Sequence, residues 1–147
     1  MLNEDQQNSL KFIKRWWKSN KLYCILDGAG GVGKSYLVDR VLQELPNCRP
    51  ILLAPTNEAL KQLRDKVTNA GEYTFKTVHA ALGIAPTTHQ KDVKFEQVTL
   101  PSFWDDFNLA IIDEVSMLDD WIIEILTSIG IKILGLTIFQ KKGYCVG

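Results

Sequence analysis

The run Gly28-Ala29-Gly30-Gly31-Val32-Gly33-Lys34-Ser35 matches G-x-x-x-x-G-K-[ST] at every fixed position. Residues without a Cβ let successive backbone N–H groups turn inward, so the run can form a nest for phosphate oxygens where a helix begins and its dipole favours anions. Lys34 is then placed to neutralise the β- and γ-phosphates, and Ser35 to offer its hydroxyl to Mg²⁺. All eight residues are therefore candidates for holding a nucleotide. The plainer reading, a glycine-rich turn with an exposed lysine, fits less well because the run lies between an apolar strand and a helical segment.

A second chemical signal lies downstream. Leu109-Ala110-Ile111-Ile112 reads as a buried strand that ends in two carboxylates, Asp113 and Glu114. Burying such a pair without compensation is costly, and a divalent cation and a water compensate it. Asp113 suits Mg²⁺ through the ion's hydration shell, and Glu114 is placed to polarise a water attacking the γ-phosphate, which favours hydrolysis over transfer to a substrate. The alternative is that both acids cap the next helix.

Elements of a definite kind must position these groups. Asn3 or Asp5 can cap an amphipathic helix running to about Ser19, with Leu10, Ile13 and either Trp17 or Trp16 inward and lysines outward. The basic face beside two tryptophans invites a nucleic-acid reading, but one core tryptophan with solvated lysines is the simpler one. Leu22 to Leu26 reads as a strand, Tyr36 to Leu45 as a helix, Ile51 to Ala54 as a strand and Glu58 to Val67 as a helix. Trp121 to Ile129 reads as a further helix and Ile131 to Leu136 as a fourth strand. Strands alternating with helices predict an α/β fold with a mostly parallel sheet covered on both faces, whose ligands sit at the carboxyl ends of the strands. Residues 84–102 read as an excursion from that sheet, with Val93 to Val98 alternating like an arm of a β-hairpin.

The chain has 147 residues, 46% of them apolar and 23% charged, enough for one folded domain and too little charge for disorder. Seventeen basic residues balance seventeen acidic ones, so an anionic partner must be held locally rather than by a global field. Cys24, Cys48 and Cys145 include no C-x-x-C pair, which points to a reduced, cytoplasmic setting. The amino terminus has no signal-peptide pattern, and charges and glycine break the apolar stretch from Ile122 to Phe139, so no membrane span is expected.

Together these residues resemble a family, the superfamily 1 DNA helicases of the Dda/RecD-like branch, over about residues 1–136. The resemblance implies a RecA-like P-loop NTPase domain that binds ATP and Mg²⁺, grips single-stranded DNA and belongs to a 5′-to-3′ helicase, with replication or recombination proteins as further partners. The Leu2-Asn3-x-x-Gln6 opening resembles the family's adenine-reading segment, which gives Gln6 that role. Ala54-Pro55-Thr56-Asn57-x-Ala59 and Thr77-Val78-His79 resemble its strand-contacting motifs, so Thr56, Asn57, Thr77 and His79 are implied DNA contacts. By itself, Thr-x-His is more often a helix cap beside a surface histidine. Asp113-Glu114-Val115-Ser116-Met117 is similar to the branch's form of the acidic motif. The arm from Lys91 to Val98 resembles the family's duplex-splitting pin, with Phe95 as the implied wedge, although a plain surface hairpin fits equally.

The resemblance stops after the fourth strand. The family continues with a Gly-Asp-x-x-Gln sensor and a second RecA-like domain bearing arginine fingers, whereas this chain reads Gly135-Leu136-Thr137-Ile138-Phe139-Gln140 and an atypical tail over 137–147. The expectation is a truncated or frameshifted helicase half, with little or no unwinding of its own. The rivals are a AAA+-type ATPase or helicase loader, with Thr137 as a polar sensor, a small kinase, and a non-enzymatic remnant.

Overall fold

The computed structural model describes residues 4–27, 32–85, 100–137 and 144–146. The first helix, α1 (Glu4–Lys18), has Glu4 and Asp5 in its first turn and Arg15 and Lys18 in its last, each complementing the helix dipole. Its buried stripe is Leu10, Ile13 and Trp16. Of the two tryptophans that could face the core, it is Trp16 that does so, 3% exposed, while Trp17 lies half-buried and its indole Nε1 donates to the Pro46 carbonyl at 3.1 Å.

Strand β1 (Tyr23–Asp27) leads towards α2 (Val32–Glu44), followed by β2 (Pro50–Ala54), α3 (Asn57–Lys66), β3 (Thr74–Thr77) and the short α4 (Val78–Leu82). After residue 100 come β4 (Leu109–Ile112), α5 (Asp120–Ser128), β5 (Lys132–Thr137) and β6 (Tyr144–Val146). The strands form one sheet in the order β3-β2-β4-β5-β1-β6. The first five are mutually parallel, and β6 runs antiparallel to β1. The α/β expectation of a mostly parallel sheet with helices on both faces is met.

Alternation along the strands divides the core in two. Cys24, Leu52, Leu109, Ile111, Leu134 and Leu136 face α1 and α2 with Leu37, Val38 and Val41. Ile25, Ile51, Leu53, Ala110, Ile112 and Ile133 face α4 and α5 with Val78, Trp121, Ile122 and Ile125.

Strand β3 has no counterpart among the expected elements. All four of its residues are only half-buried because it lies at the sheet edge, so no apolar run marks it. The short apolar segment Val78 to Leu82 is helical, capped by Thr77 and closed by Gly83 at φ +70°. The 3₁₀ turn Ser102–Asp106, which carries the buried Trp104, likewise has no periodic signal in the sequence.

Two tertiary contacts fix α1. The Lys14 ammonium meets the Glu44 carboxylate at 2.6 Å, and Arg40 holds its other oxygen, also at 2.6 Å. These hydrogen bonds, Lys14 first, hold the Glu44 carboxyl below the usual carboxylate range against the opposing effect of burial. At the far end of the sheet, Lys132 Nζ donates to the carbonyls of Trp16, Ser19 and Lys21 at 2.9, 2.8 and 2.7 Å and lies 4.8 Å from the centre of the Trp16 ring. The Trp16 carbonyl also accepts from the Ser19 N–H at 2.9 Å and Ser19 Oγ at 2.7 Å, and Ser19 and Lys21 lie just past α1, so Lys132 ties the chain leaving that helix to β5. Lys132→Met keeps the stem and removes the donors, so the urea midpoint should fall by the equivalent of about 2 kcal/mol or more, since hydrogen bonds to charged groups contribute ~1.5–3 kcal/mol each. An unchanged midpoint would show that the three contacts add nothing net.

Cys48 packs against the α1–α2 side of the core, and burial pushes its thiol from 9.0 up to about 11, with Arg49 opposing only partly. A raised thiol value stabilises the fold below pH 9, and that contribution is lost as pH rises towards 11. Between pH 8 and about pH 10.5 the melting temperature should therefore fall more in the parent chain than in Cys48→Ala. Equal falls in thermal melts would refute it.

Candidate functional site

Because β1 to β5 are parallel, their carboxyl ends share one edge, where ligands of such sheets bind. Four of the sequence motifs lie at these ends. The phosphate-loop residues follow β1, Thr56 and Asn57 follow β2, Thr77 ends β3, and Asp113 and Glu114 follow β4. Strand β5 lies between β1 and β4, with Thr137 in register with Asp27 and Gly135 with Ile112. At ~4.8 Å per strand, the β4 end stands about 10 Å from the β1 end, a span suited to a phosphate chain with a hydrated cation.

Gly28, Ala29, Gly30 and Gly31 lie outside the described residues, as does Phe95 within the insertion. Val32, Gly33, Lys34 and Ser35 form the opening turn of α2, and their side chains are likewise outside the described set. The described backbone supplies the strand before the loop and the helix after it, the context the motif requires.

The acid turn has a definite geometry. Asp113 continues the β4–β2 ladder, its N–H donating to the Leu53 carbonyl at 2.9 Å. Its Oδ1 accepts from the Glu114 N–H at 3.0 Å. Glu114 then adopts the left-handed conformation, φ 52° and ψ 45°, before the 3₁₀ turn Val115–Met117. Nothing in the sequence signals this, because left-handed backbone favours glycine or asparagine. Val115 is buried, whereas Asp113 and Glu114 are half-buried and Met117 is 56% exposed. The acids do not cap α5: Asp119 takes that position, and Glu114 makes no capping bond.

Thr56 Oγ1 accepts from the Ala59 N–H at 3.1 Å and caps α3; Thr77 Oγ1 accepts from the Ala80 N–H at 3.2 Å and caps α4. For Thr77 this is the helix-cap geometry of the plainer Thr-x-His reading. Each capping bond uses an acceptor lone pair of the hydroxyl and leaves its O–H able to donate to a phosphate oxygen. Asn57 is exposed at the start of α3 and His79 is half-buried on α4. Trp104, missed by the sequence reading, supports that helix from below, its Nε1 donating to the Ala81 carbonyl at 2.7 Å. Gln6 is half-buried in the first turn of α1, at the end remote from the Lys132 anchor.

This fold is shared with known proteins. The chain belongs to the AAA domain family, whose model it matches over residues 16–138. It is 30% identical over 129 residues to the ATP-dependent DNA helicase Dda of Enterobacteria phage T4, an alignment covering 86% of this chain and 28% of that protein. Bacteroides Pif1 in complex with ADP-AlF4 has the same fold, with a TM-score of 0.62 at 20% identity over 94% of this chain and 32% of the other. Bacteroides Pif1 bound to single-stranded DNA matches with a TM-score of 0.62 at 19% identity over 96% of this chain and 34% of the other. The chain thus spans about a third or less of these relatives. These likenesses bear out the expectation of a RecA-like N-terminal domain of the superfamily 1 helicase kind. Among the described residues, no helix is long and apolar enough to cross a membrane.

Proposed function

We propose that this chain is the ATP-binding half of an ATP-dependent 5′-to-3′ DNA helicase, binding ATP with Mg²⁺ and gripping single-stranded DNA. The observation that carries the reading is the meeting, at one sheet edge, of a phosphate-loop sequence after β1 and the carboxylate turn after β4. Gly28 to Ser35 hold the phosphates through main-chain N–H groups and the Lys34 ammonium. Gln6 reads the adenine, offering a donor and an acceptor together.

The donor set suits Mg²⁺. Among the described residues no group of three or more His, Cys, Asp or Glu forms a closed cage, and Mg²⁺ is ordinarily held by one or two protein oxygens plus the phosphates themselves. Asp113 and Ser35 supply those oxygens. When bound, the ion neutralises charge on the phosphate oxygens. Glu114 orients a water and accepts its proton, at an edge where the half-buried setting limits competing solvent.

Thr56, Asn57, Thr77 and His79, at the ends of the neighbouring strands β2 and β3, grip a phosphodiester backbone without reading sequence. The two Pif1 complexes fit this reading, one holding ADP-AlF4 and the other single-stranded DNA. The identity to Dda favours a helicase over a loader. In a fluorescence-anisotropy titration with a single-stranded oligonucleotide, the Thr56→Ala, His79→Ala double variant should bind at least tenfold more weakly than the parent, with nucleotide affinity little changed. Undiminished DNA binding would favour the loader.

A further inference from the structure

The acid turn holds a conformation that glutamate disfavours, and it is held from Asp113 on one side and from β5 on the other. A non-glycine residue in the left-handed region is strained, and it persists only where its surroundings over-determine it. The residues on either side of Glu114 provide that constraint. On one side, Asp113 Oδ1 accepts the Glu114 N–H at 3.0 Å. On the other, Val115 and Ser116 are seated on two residues of β5. A Cβ added at Gly135 would lie 3.0 Å from Val115 Cγ1 and 3.3 Å from Val115 Cβ, so any larger residue there pushes the valine back from the strand by a few tenths of an ångström. Two residues on, Thr137 Oγ1 donates to Ser116 Oγ at 2.8 Å. Thr137 is 1% exposed, the only polar residue in the buried core among the described residues. At a buried position a hydrogen bond between two side chains is not readily exchanged for one to water, so the pair ties the turn to the strand.

We infer that Gly135 and Thr137 are positioning residues that hold the Glu114 turn in its left-handed conformation. Gly135 admits Val115 and Thr137 ties Ser116, so β5 sets where the Glu114 turn stands relative to the end of β1. Thr137 is well placed for this because it is in register with Asp27, the last residue before the phosphate loop. The catalytic consequence rests on the proposed function; the conformational one does not.

The test uses the full chain, with Thr137→Val to remove the hydroxyl at near-constant shape, Thr137→Ser to keep it, and Gly135→Ala to crowd Val115. The first readout is amide hydrogen exchange at Met117 and Leu118, whose N–H groups close the turn on the Glu114 and Val115 carbonyls at 3.0 and 3.1 Å. Thr137→Val and Gly135→Ala should each speed exchange at these two amides at least tenfold while amides in β2 and β4 keep their protection, and Thr137→Ser should restore the parent rate within twofold. Unchanged exchange in Thr137→Val, or failure of Thr137→Ser to restore it, overturns the inference. The second readout is single-turnover ATP hydrolysis beside nucleotide affinity. Thr137→Val should lower the rate about tenfold while the dissociation constant moves less than threefold, and an unchanged rate overturns the catalytic part. Failure of the functional reading looks different: Glu114→Gln then hydrolyses ATP as fast as the parent, while the exchange result stands unaffected.

Discussion

Lys34→Ala is expected to weaken binding of ATP with Mg²⁺ by roughly 10- to 100-fold, because a charge-assisted hydrogen bond to phosphate is worth about 1.5–3 kcal/mol. Lys34 lies in the first turn of α2, behind a loop whose glycines supply only main-chain donors. Those N–H groups can hold phosphate oxygens but bring no full charge, so the ammonium is the one fixed cation the motif contributes. The effect should therefore depend on the ligand. ATP and ADP lose affinity and AMP changes little, because the lysine reaches only the β- and γ-phosphates. The melting temperature in the absence of nucleotide should stay within a few degrees of the parent, since Leu37, Val38 and Val41 anchor α2 in the core. Titration with a fluorescent nucleotide checks this. Equal affinities in parent and variant would remove the phosphate loop from the account and leave the non-enzymatic remnant.

Trp104→Ala is expected to cost about 3–5 kcal/mol, the range for truncating a buried tryptophan. Trp104 is 5% exposed, with its ring centre 5.6 Å from that of Phe103 and 6.5 Å from that of Phe107. Its indole also satisfies the Ala81 carbonyl in α4. Set against the ~5–15 kcal/mol that keeps an ordinary domain folded, the loss is severe. Trp104→Phe separates packing from hydrogen bonding. It keeps most of the apolar volume and leaves the Ala81 carbonyl without that donor, which should cost about 1–3 kcal/mol. Because α4 carries His79, the phenylalanine variant should weaken single-stranded DNA binding more than nucleotide binding. Urea denaturation and the two titrations distinguish these outcomes; a phenylalanine variant as stable as the parent would make the indole bond energetically neutral.

Residues with strong local signals are legible in the amino-acid order alone. The phosphate loop declares itself through glycine spacing and Lys34, and β4 through four consecutive apolar residues closed by Asp113-Glu114. The parallel sheet follows from strands alternating with helices, since a parallel return needs a crossover. Edge strand β3 escapes because its half-burial weakens the apolar pattern, although it delivers Thr77 to the site. The choice between Trp16 and Trp17 stays open in the sequence because both lie near the boundary of one helical face, and only packing against the core decides between them.

What the order of residues dictates is the chemistry on offer: a phosphate-loop sequence with its lysine, two adjacent carboxylates and capping hydroxyls, each identified by residue type and spacing over a few positions. Folding in three dimensions is what gives them a common edge, inserts β5 between β1 and β4, and seats the left-handed turn at Glu114 on Gly135 and Thr137. The reason is one of range. Motif and periodicity are written in neighbours within one helical turn or one strand. Ser116 and Thr137 are 21 positions apart, and they are brought together by strand pairing and side-chain packing that no local pattern encodes.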